Sequence, residues 1–166
     1  MSGTAKVQVR ASHGGHGVFT LEALTGGQRI LEFVGPACDR DAVVRAARDG
    51  AGDGFLQIAR DSFYALSGGP DDFVNHSCAP NAYVRFDQDG VFLVARAAIA
   101  TGEELYFDYG VTQIEFPFRF DCLCGAAECR GPIGNCDELP SATLATYRAA
   151  GMVPAYIEEE LRRLGR

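Results

Sequence analysis

Apolar and polar positions alternate with a period of two in short stretches over roughly the first two thirds of the chain, and the period lengthens to that of a helix at only a few places. Lys6 to Arg10 reads as a short strand, and Gly14-Gly15-His16-Gly17 is expected to break it. Val18-Phe19-Thr20 follows as a second strand, with a turn at Gly26-Gly27. Ile30 to Val34 is a third, stopped by Gly35-Pro36. Asp39 or Asp41 can cap a helix through Ala42 to Arg48, which Gly50 ends. Phe55 to Ile58 and Ser62 to Leu66 form a hairpin turning at Arg60-Asp61. Ala82 to Phe86 and Val91 to Ala95 form another across Asp87-Gln88-Asp89-Gly90, whose Asp-Gly ending favours a tight turn. After Thr101-Gly102, Leu105 to Tyr109 is a strand that sends Leu105, Phe107 and Tyr109 to one face and Tyr106 and Asp108 to the other. Beyond Cys129, Ser141 caps a helix over Ala142 to Ala149, Gly151 ends it, and Ala155 to Leu164 is the last helix.

Many short strands, with helices confined to one insertion and the C-terminus, predict an α+β fold that is mainly β and lacks βαβ alternation. At 166 residues the chain is long enough to bury a core as a single domain. Neither a membrane span nor a secretory signal is expected, which makes the cytoplasm the default location. The net charge of −7 argues against binding a phosphate backbone and fits a basic protein partner better. Fourteen of the fifteen basic residues are arginine and Lys6 is the only lysine, a bias that a GC-rich genome explains. Oligomeric state is not legible in the sequence.

Six cysteines in such a chain point away from a disulfide framework, and their spacing is informative. Cys122, Cys124 and Cys129 place three thiolates within eight residues, around a Gly125 suited to a tight turn. Zinc takes four ligands in a structural site, so one position is left to fill. Cys78 is best placed for it, with Cys136 as rival and Cys38 behind. Such a bond would tie a mid-chain loop to the C-terminal segment.

Two further segments carry unusual polarity. In Asn75-His76-Ser77-Cys78-Ala79-Pro80-Asn81 a nucleophile-and-base reading is weak, because an extended chain is expected to hold His76 away from Ser77 and Cys78. Gly102-Glu103-Glu104-Leu105-Tyr106-Phe107-Asp108-Tyr109-Gly110 reads either as a buried aromatic face or as an aromatic slot ending in a phenol.

In this order the motifs resemble the SET-domain protein-lysine methyltransferases, over about Gly15 to Gly131. Gly15-His16-Gly17 is similar to the family's N-terminal Gly-x-Gly. Residues 75–81 match its Asn-His-Ser-Cys-x-Pro-Asn motif, and residues 102–110 its Gly-Glu-Glu-Leu-x-Phe-Asp-Tyr-Gly element. Residues 122–131 match the post-SET pattern Cys-x-Cys-x4-Cys-Arg-Gly. The resemblance implies short antiparallel sheets with a pseudoknot in which the C-terminal part threads a loop. It implies a SET domain at 1–115 with an insertion at about 38–70, a post-SET zinc segment at 116–134 and a helical tail at 135–166.

The activity it implies is transfer of methyl groups from S-adenosylmethionine to lysine in a basic protein or peptide, up to di- or trimethylation. Gly15, His16, Gly17, Asn75, His76 and Leu123 would hold the cofactor, Leu123 packing on its adenine. Tyr109 would be catalytic, and Phe107 and Tyr64 would line the substrate channel. Structural zinc would sit on Cys78, Cys122, Cys124 and Cys129. The substrate would lie extended beside Phe55 to Leu66, with Asp71, Asp72, Glu103 and Glu104 attracting it. A eukaryotic or viral origin, or a role as an effector, would instead imply a nuclear or host-chromatin location. Asp72 stands where the family often has an arginine for the cofactor carboxylate, and the Gly-Asn that commonly precedes it is missing. No cysteine-rich pre-SET region is present in the sequence. The competing reading is a SET-like module that holds zinc and cofactor but does not catalyse.

Overall fold

The computed structural model describes residues 4–13, 15–50, 54–114 and 118–166. Gly14, expected to help break the first strand, lies outside the described residues, as does the expected 115/116 boundary. In chain order the elements are β1 (Val7–Ser12), β2 (Gly15–Thr20), β3 (Arg29–Phe33), β4 (Ala37–Asp39), α1 (Arg40–Arg48), β5 (Leu56–Ala59) and β6 (Ser62–Tyr64). They continue with β7 (Asn75–His76), β8 (Ala82–Asp87), β9 (Gly90–Ala95), β10 (Tyr106–Phe107), β11 (Phe120–Asp121), β12 (Pro132–Ile133), α2 (Ser141–Ala149) and α3 (Ala155–Arg163). Short antiparallel strands with a few helices are the α+β arrangement the sequence predicts. No helix among the described residues is long and apolar enough to cross a membrane.

The chain divides into two compact units. One comprises Met1–Val34, Ser67–Asp108 and Cys124–Cys129, and the other Gly35–Leu66, Tyr109–Leu123 and Arg130–Arg166.

In the first unit, β3, β9 and β8 form an antiparallel sheet with β9 in the middle. A central strand covered on both faces should be apolar throughout, and Val91 to Ala95 are all buried. Asp87 pairs with Gly90, so Gln88-Asp89 is the two-residue turn of the β8–β9 hairpin. Arg29 stacks its guanidinium 3.9 Å over the Phe92 ring while bonding Asp87 and Asp89, which locks β3 to that hairpin. β1 and β2 make a separate hairpin, and β7 pairs with β10 in parallel.

In the second unit the sheet order is β4-β6-β5. Asp39 caps α1 by accepting a bond from Ala42 N at 2.8 Å, and Asp61 takes the positive φ of 54° that the β5–β6 turn needs. α2 and α3 bury Leu144, Tyr147, Ile157 and Leu161.

Several expectations need correction. Gly15-His16-Gly17 continues β2 instead of breaking the strand, because the ladder runs as far as Ser12 opposite Gly15. The strand expected over Leu105 to Tyr109 is only Tyr106–Phe107, and a 3-10 turn begins at Tyr109. Alternation therefore fails at Asp108, which is fully buried. Ser141 is the first helical residue of α2, and Pro140 occupies the cap position without a side-chain bond. α3 likewise opens after Pro154, whose ring fixes a φ compatible with starting a helix. β4 has no expected counterpart, since its three residues are too short for alternation to register.

Candidate functional site

The Gly-x-Gly strand, the Asn-His segment and the Glu-Glu-Leu segment converge in the first unit. β7 lies against β10 with Asn75 opposite Tyr106 and His76 opposite Phe107. Ser77 N extends the pairing by donating to Phe107 O at 3.2 Å. Two strands of two residues would not hold alone, and Asn81 supplies what they lack. Its Nδ2 donates to Glu104 O at 2.8 Å and its Oδ1 accepts from Tyr106 N at 2.9 Å, mimicking a strand's backbone. Arg96 braces the other side by donating to Pro80 O at 2.8 Å.

Asn75 joins this platform to β2. Its Nδ2 donates to His16 O at 2.8 Å and to Glu104 Oε1 at 2.9 Å. Ser12 Oγ also donates to the Glu104 carboxylate, 2.9 and 2.8 Å from its two oxygens. Partial burial pulls the Glu104 carboxyl upward, but bonds from Asn75, Tyr106 and Ser12 together hold it below the usual carboxylate range. It is an anion at neutral pH, positioned by three donors.

Gly17 leaves the room that this carboxylate occupies. A Cβ there would meet the Glu104 carboxylate, 2.7 Å from its Cδ, and would lie 3.1 Å from Asn75 Nδ2. Gly15 is favoured for a different reason, its φ of +103°, since the space around it is open.

His76 is buried beside Asp108 and Cys78. Its Nδ1 lies 3.6 Å from Asp108 Oδ1, and its Nε2 lies 3.4 Å from Cys78 Sγ. The expectation that the chain would keep His76 from Cys78 was wrong, because residues two apart on an extended stretch share a side. The cysteine-nucleophile reading gains nothing from that contact, since Cys78 belongs to the thiol cluster. The ring of Phe107 is buried, edge-on to Phe33 with centroids 5.6 Å apart.

Sulfur atoms of Cys78, Cys122, Cys124 and Cys129 all lie within 4.8 Å of one another. Four Zn–S bonds of about 2.3 Å place tetrahedral sulfurs ~3.8 Å apart, so the donor number, type and spacing fit zinc. Neither rival for the fourth position is in the cluster. Cys136 is fully buried and donates its N–H to Gln113 O, and Cys38 lies in β4. Leu123, between two of the cysteines, is 84% exposed.

The second unit holds Tyr64, at the end of β6 opposite Ala37 and Leu56, and Tyr109, which opens the 3-10 turn Tyr109–Thr112. The Tyr109 ring lies 5.9 Å from Phe120 and 6.4 Å from Phe118, whose own rings are 5.4 Å apart. Burial pushes the Tyr109 phenol above its usual range, so it keeps its proton at neutral pH.

Asp71 and Asp72 are not free surface charges. Asp72 accepts from Ser67 N at 2.9 Å and Gly68 N at 2.7 Å. Asp71 accepts from Ser67 Oγ at 2.6 Å and Val34 N at 3.1 Å. Both carboxylates hold the loop after Ser67, which gives Asp72 a structural task of its own where the family often has arginine. The carbonyls of Phe55, Gln57 and Ala59 also accept side-chain donors, from Gln113, Tyr156 and Gln57. A peptide laid along those acceptors of β5 would have to compete with them.

Residues 15–110, more than half of the chain, match the sequence model of the SET domain. The chain belongs to the SET-domain family. This SET domain is 30% identical over 132 residues to the probable histone-lysine N-methyltransferase set-23 of Caenorhabditis elegans, covering 70% of this chain and 54% of that protein. It is 34% identical over 129 residues to the H3 lysine-4 specific histone-lysine N-methyltransferase of Schizosaccharomyces pombe, covering 69% of this chain and 14% of that protein. A Cryptococcus neoformans protein of the same description is 31% identical over 136 residues, 74% of this chain and 9% of its own length. The chain thus spans about half the length of the worm protein and far less of the fungal ones.

Glu104, expected only to attract a basic substrate, has a different place: it accepts from Asn75 and Ser12 and packs against Gly17. It stands inside the matched Gly-Glu-Glu-Leu element, yet its charge reads as surface charge until Asn75 and Gly17 are seen against it. The Phe118–Phe120 ring pair was likewise not anticipated, since it follows no motif.

Proposed function

We propose that this chain uses S-adenosylmethionine to methylate lysine side chains in a basic protein. The observation that carries the reading is the joined network of His16, Gly17, Asn75 and Glu104, which gives three separated motifs one location. The Asn75 amide bonds His16 O and Glu104 through Nδ2, and its Oδ1 would accept from the cofactor's ammonium group. Gly15, His16 and Gly17 offer backbone groups, His76 holds the cofactor together with Asn75, and Leu123, which is exposed, would pack on the adenine. When bound, the cofactor supplies a methyl group on a positively charged sulfonium.

A lysine amine must reach the site neutral, and an apolar channel favours loss of its proton. Tyr109, protonated at neutral pH, orients that amine through its hydroxyl, and Tyr64 lines the channel with Phe107. Zinc on the four cysteines serves structure. The three-part organisation, with the SET segment to residue 115, the post-SET segment to 134 and the tail beyond, is part of the same reading, as is a cytoplasmic location. The acidic net charge of −7 suits a basic substrate.

The experiment is transfer of labelled methyl from S-adenosylmethionine to a panel of basic proteins, followed by hydrolysis to amino acids. Label in methyl-lysine supports the reading, and label confined to another residue overturns it. The second reading, a non-catalytic module, draws on Asp72, whose carboxylate is tied to loop amides. Cofactor binding with no labelling across the panel would favour it.

Phe107 has no hydroxyl with which to hold a water beside the amine. Phe107→Tyr is therefore expected to shift the products from di- and trimethyl-lysine toward monomethyl-lysine, as read by mass spectrometry of a substrate peptide. An unchanged product distribution would remove Phe107 from the channel.

A further inference from the structure

Helix α3 lies beyond the residues that match the SET domain, and it is more than an apolar cover. Ile157 and Leu161 are fully buried, while Tyr156 reaches polar partners. Its hydroxyl lies 2.7 Å from Gln57 O on β5 and 2.8 Å from Thr112 O. A phenol has one proton to donate, so these two carbonyls share a single donor.

Thr112 closes the turn that Tyr109 opens, and its Oγ1 donates back to Tyr109 O at 3.1 Å. The residues that follow are held by β5 as well. Gln113 Nε2 donates to Phe55 O at 3.0 Å, and Gln57 Oε1 accepts from Ile114 N at 3.0 Å. Gln57 is completely buried, so its polar groups must be satisfied within the fold. Its backbone carbonyl meets Tyr156 and its side chain meets Ile114. Strand β5 and Tyr156 of the C-terminal helix thus both hold the turn bearing Tyr109 and the residues that follow it.

We infer that Tyr156 is a positioning residue for Tyr109, its hydroxyl tying β5 to the turn 109–112 so that the Tyr109 phenol is held in one orientation. The catalytic half of this inference rests on the lysine-methyltransferase reading, and the structural half does not. Misplacing a reacting group by about 1 Å costs up to ~100-fold in rate, so a small release of the turn is enough to be measured.

Tyr156→Phe removes one oxygen and keeps the ring. It is expected to lower kcat by about tenfold with KM for S-adenosylmethionine unchanged. It is also expected to speed hydrogen exchange at the Gln113 and Ile114 amides by about tenfold, because the turn opens locally. Ile157→Ala, on the same helix, provides the comparison for general loss of packing: its melting temperature should fall while kcat per folded molecule stays near that of the wild type. Wild-type kcat in Tyr156→Phe, or an equal kcat loss in Ile157→Ala, overturns the inference. If the wild type transfers no methyl, exchange alone decides the structural tie. Unchanged exchange at residues 113 and 114 then overturns it, and faster exchange supports it while the activity reading fails separately.

Discussion

Gly17→Ala is expected to weaken S-adenosylmethionine binding by about 10- to 100-fold, the effect of ~1–3 kcal/mol of overpacking at the site. The new methyl would fall 2.7 Å from Glu104 Cδ, closer than Cβ atoms approach. Glu104 has to swing away, giving up the donors from Asn75 and Ser12. Asn75 then loses one of two anchors, and the oxygen offered to the cofactor is no longer aimed. Gly15→Ala separates crowding from conformation, because it strains a backbone with φ of +103° but meets nothing within 4 Å. Titration calorimetry with S-adenosylmethionine should show the larger loss for Gly17→Ala. Wild-type affinity in that variant would remove the Gly17–Glu104–Asn75 contact from the cofactor site.

Replacing one cluster cysteine should have the larger effect on the fold itself. Cys124→Ser is expected to take bound zinc from about one per chain to near zero and to lower the melting temperature by well over 10 °C, since structural zinc contributes roughly 10–16 kcal/mol of binding energy in small peptide sites. The size of the effect follows from the ligand set. Cys78 and the pair Cys124 and Cys129 come from distant parts of the sequence, and their sulfurs lie within 4.8 Å of one another. Removing the ion would leave four thiols, two of them buried, in place of metal bonds. Cys38→Ser, outside the cluster, should keep both zinc and stability. Metal analysis and thermal melts of the two variants decide the matter. Retained zinc in Cys124→Ser would show that the four thiols are not one metal centre.

How much of this was legible in the sequence depends on the range of the interaction. Local signals carried well: Asp39 before α1, the Asp-Gly end of the β8–β9 turn, the apolar run of β9 and the glycines closing α1 and α2 all sit where the pattern predicts. The cysteine cluster was legible because three of its four members fall within eight residues, and Cys78 was the best remaining candidate.

Features set by distant partners were not legible. Asn81 replaces a missing strand partner for residues 104–106, and nothing within a few residues of it indicates that role. Alternation put Asp108 on the face opposite Phe107, but the strand stops at Phe107 and the carboxylate is buried beside His76. Glu104 and Asp72 looked like surface charge because their donors, Asn75, Ser12, Ser67 and Gly68, are brought to them only by folding. Tyr156 lies outside every matched motif, and its two acceptors are separated from it by 99 and 44 residues.

The most direct measurement is methyl transfer to lysine by the zinc-loaded protein, wild type beside Tyr109→Phe, with cofactor binding measured on both. The account predicts labelled methyl-lysine from the wild type, a loss of about 100-fold or more in the variant, and cofactor affinity that stays within a few-fold. Wild type that binds cofactor yet labels no lysine, or a variant that transfers as fast as wild type, would contradict it.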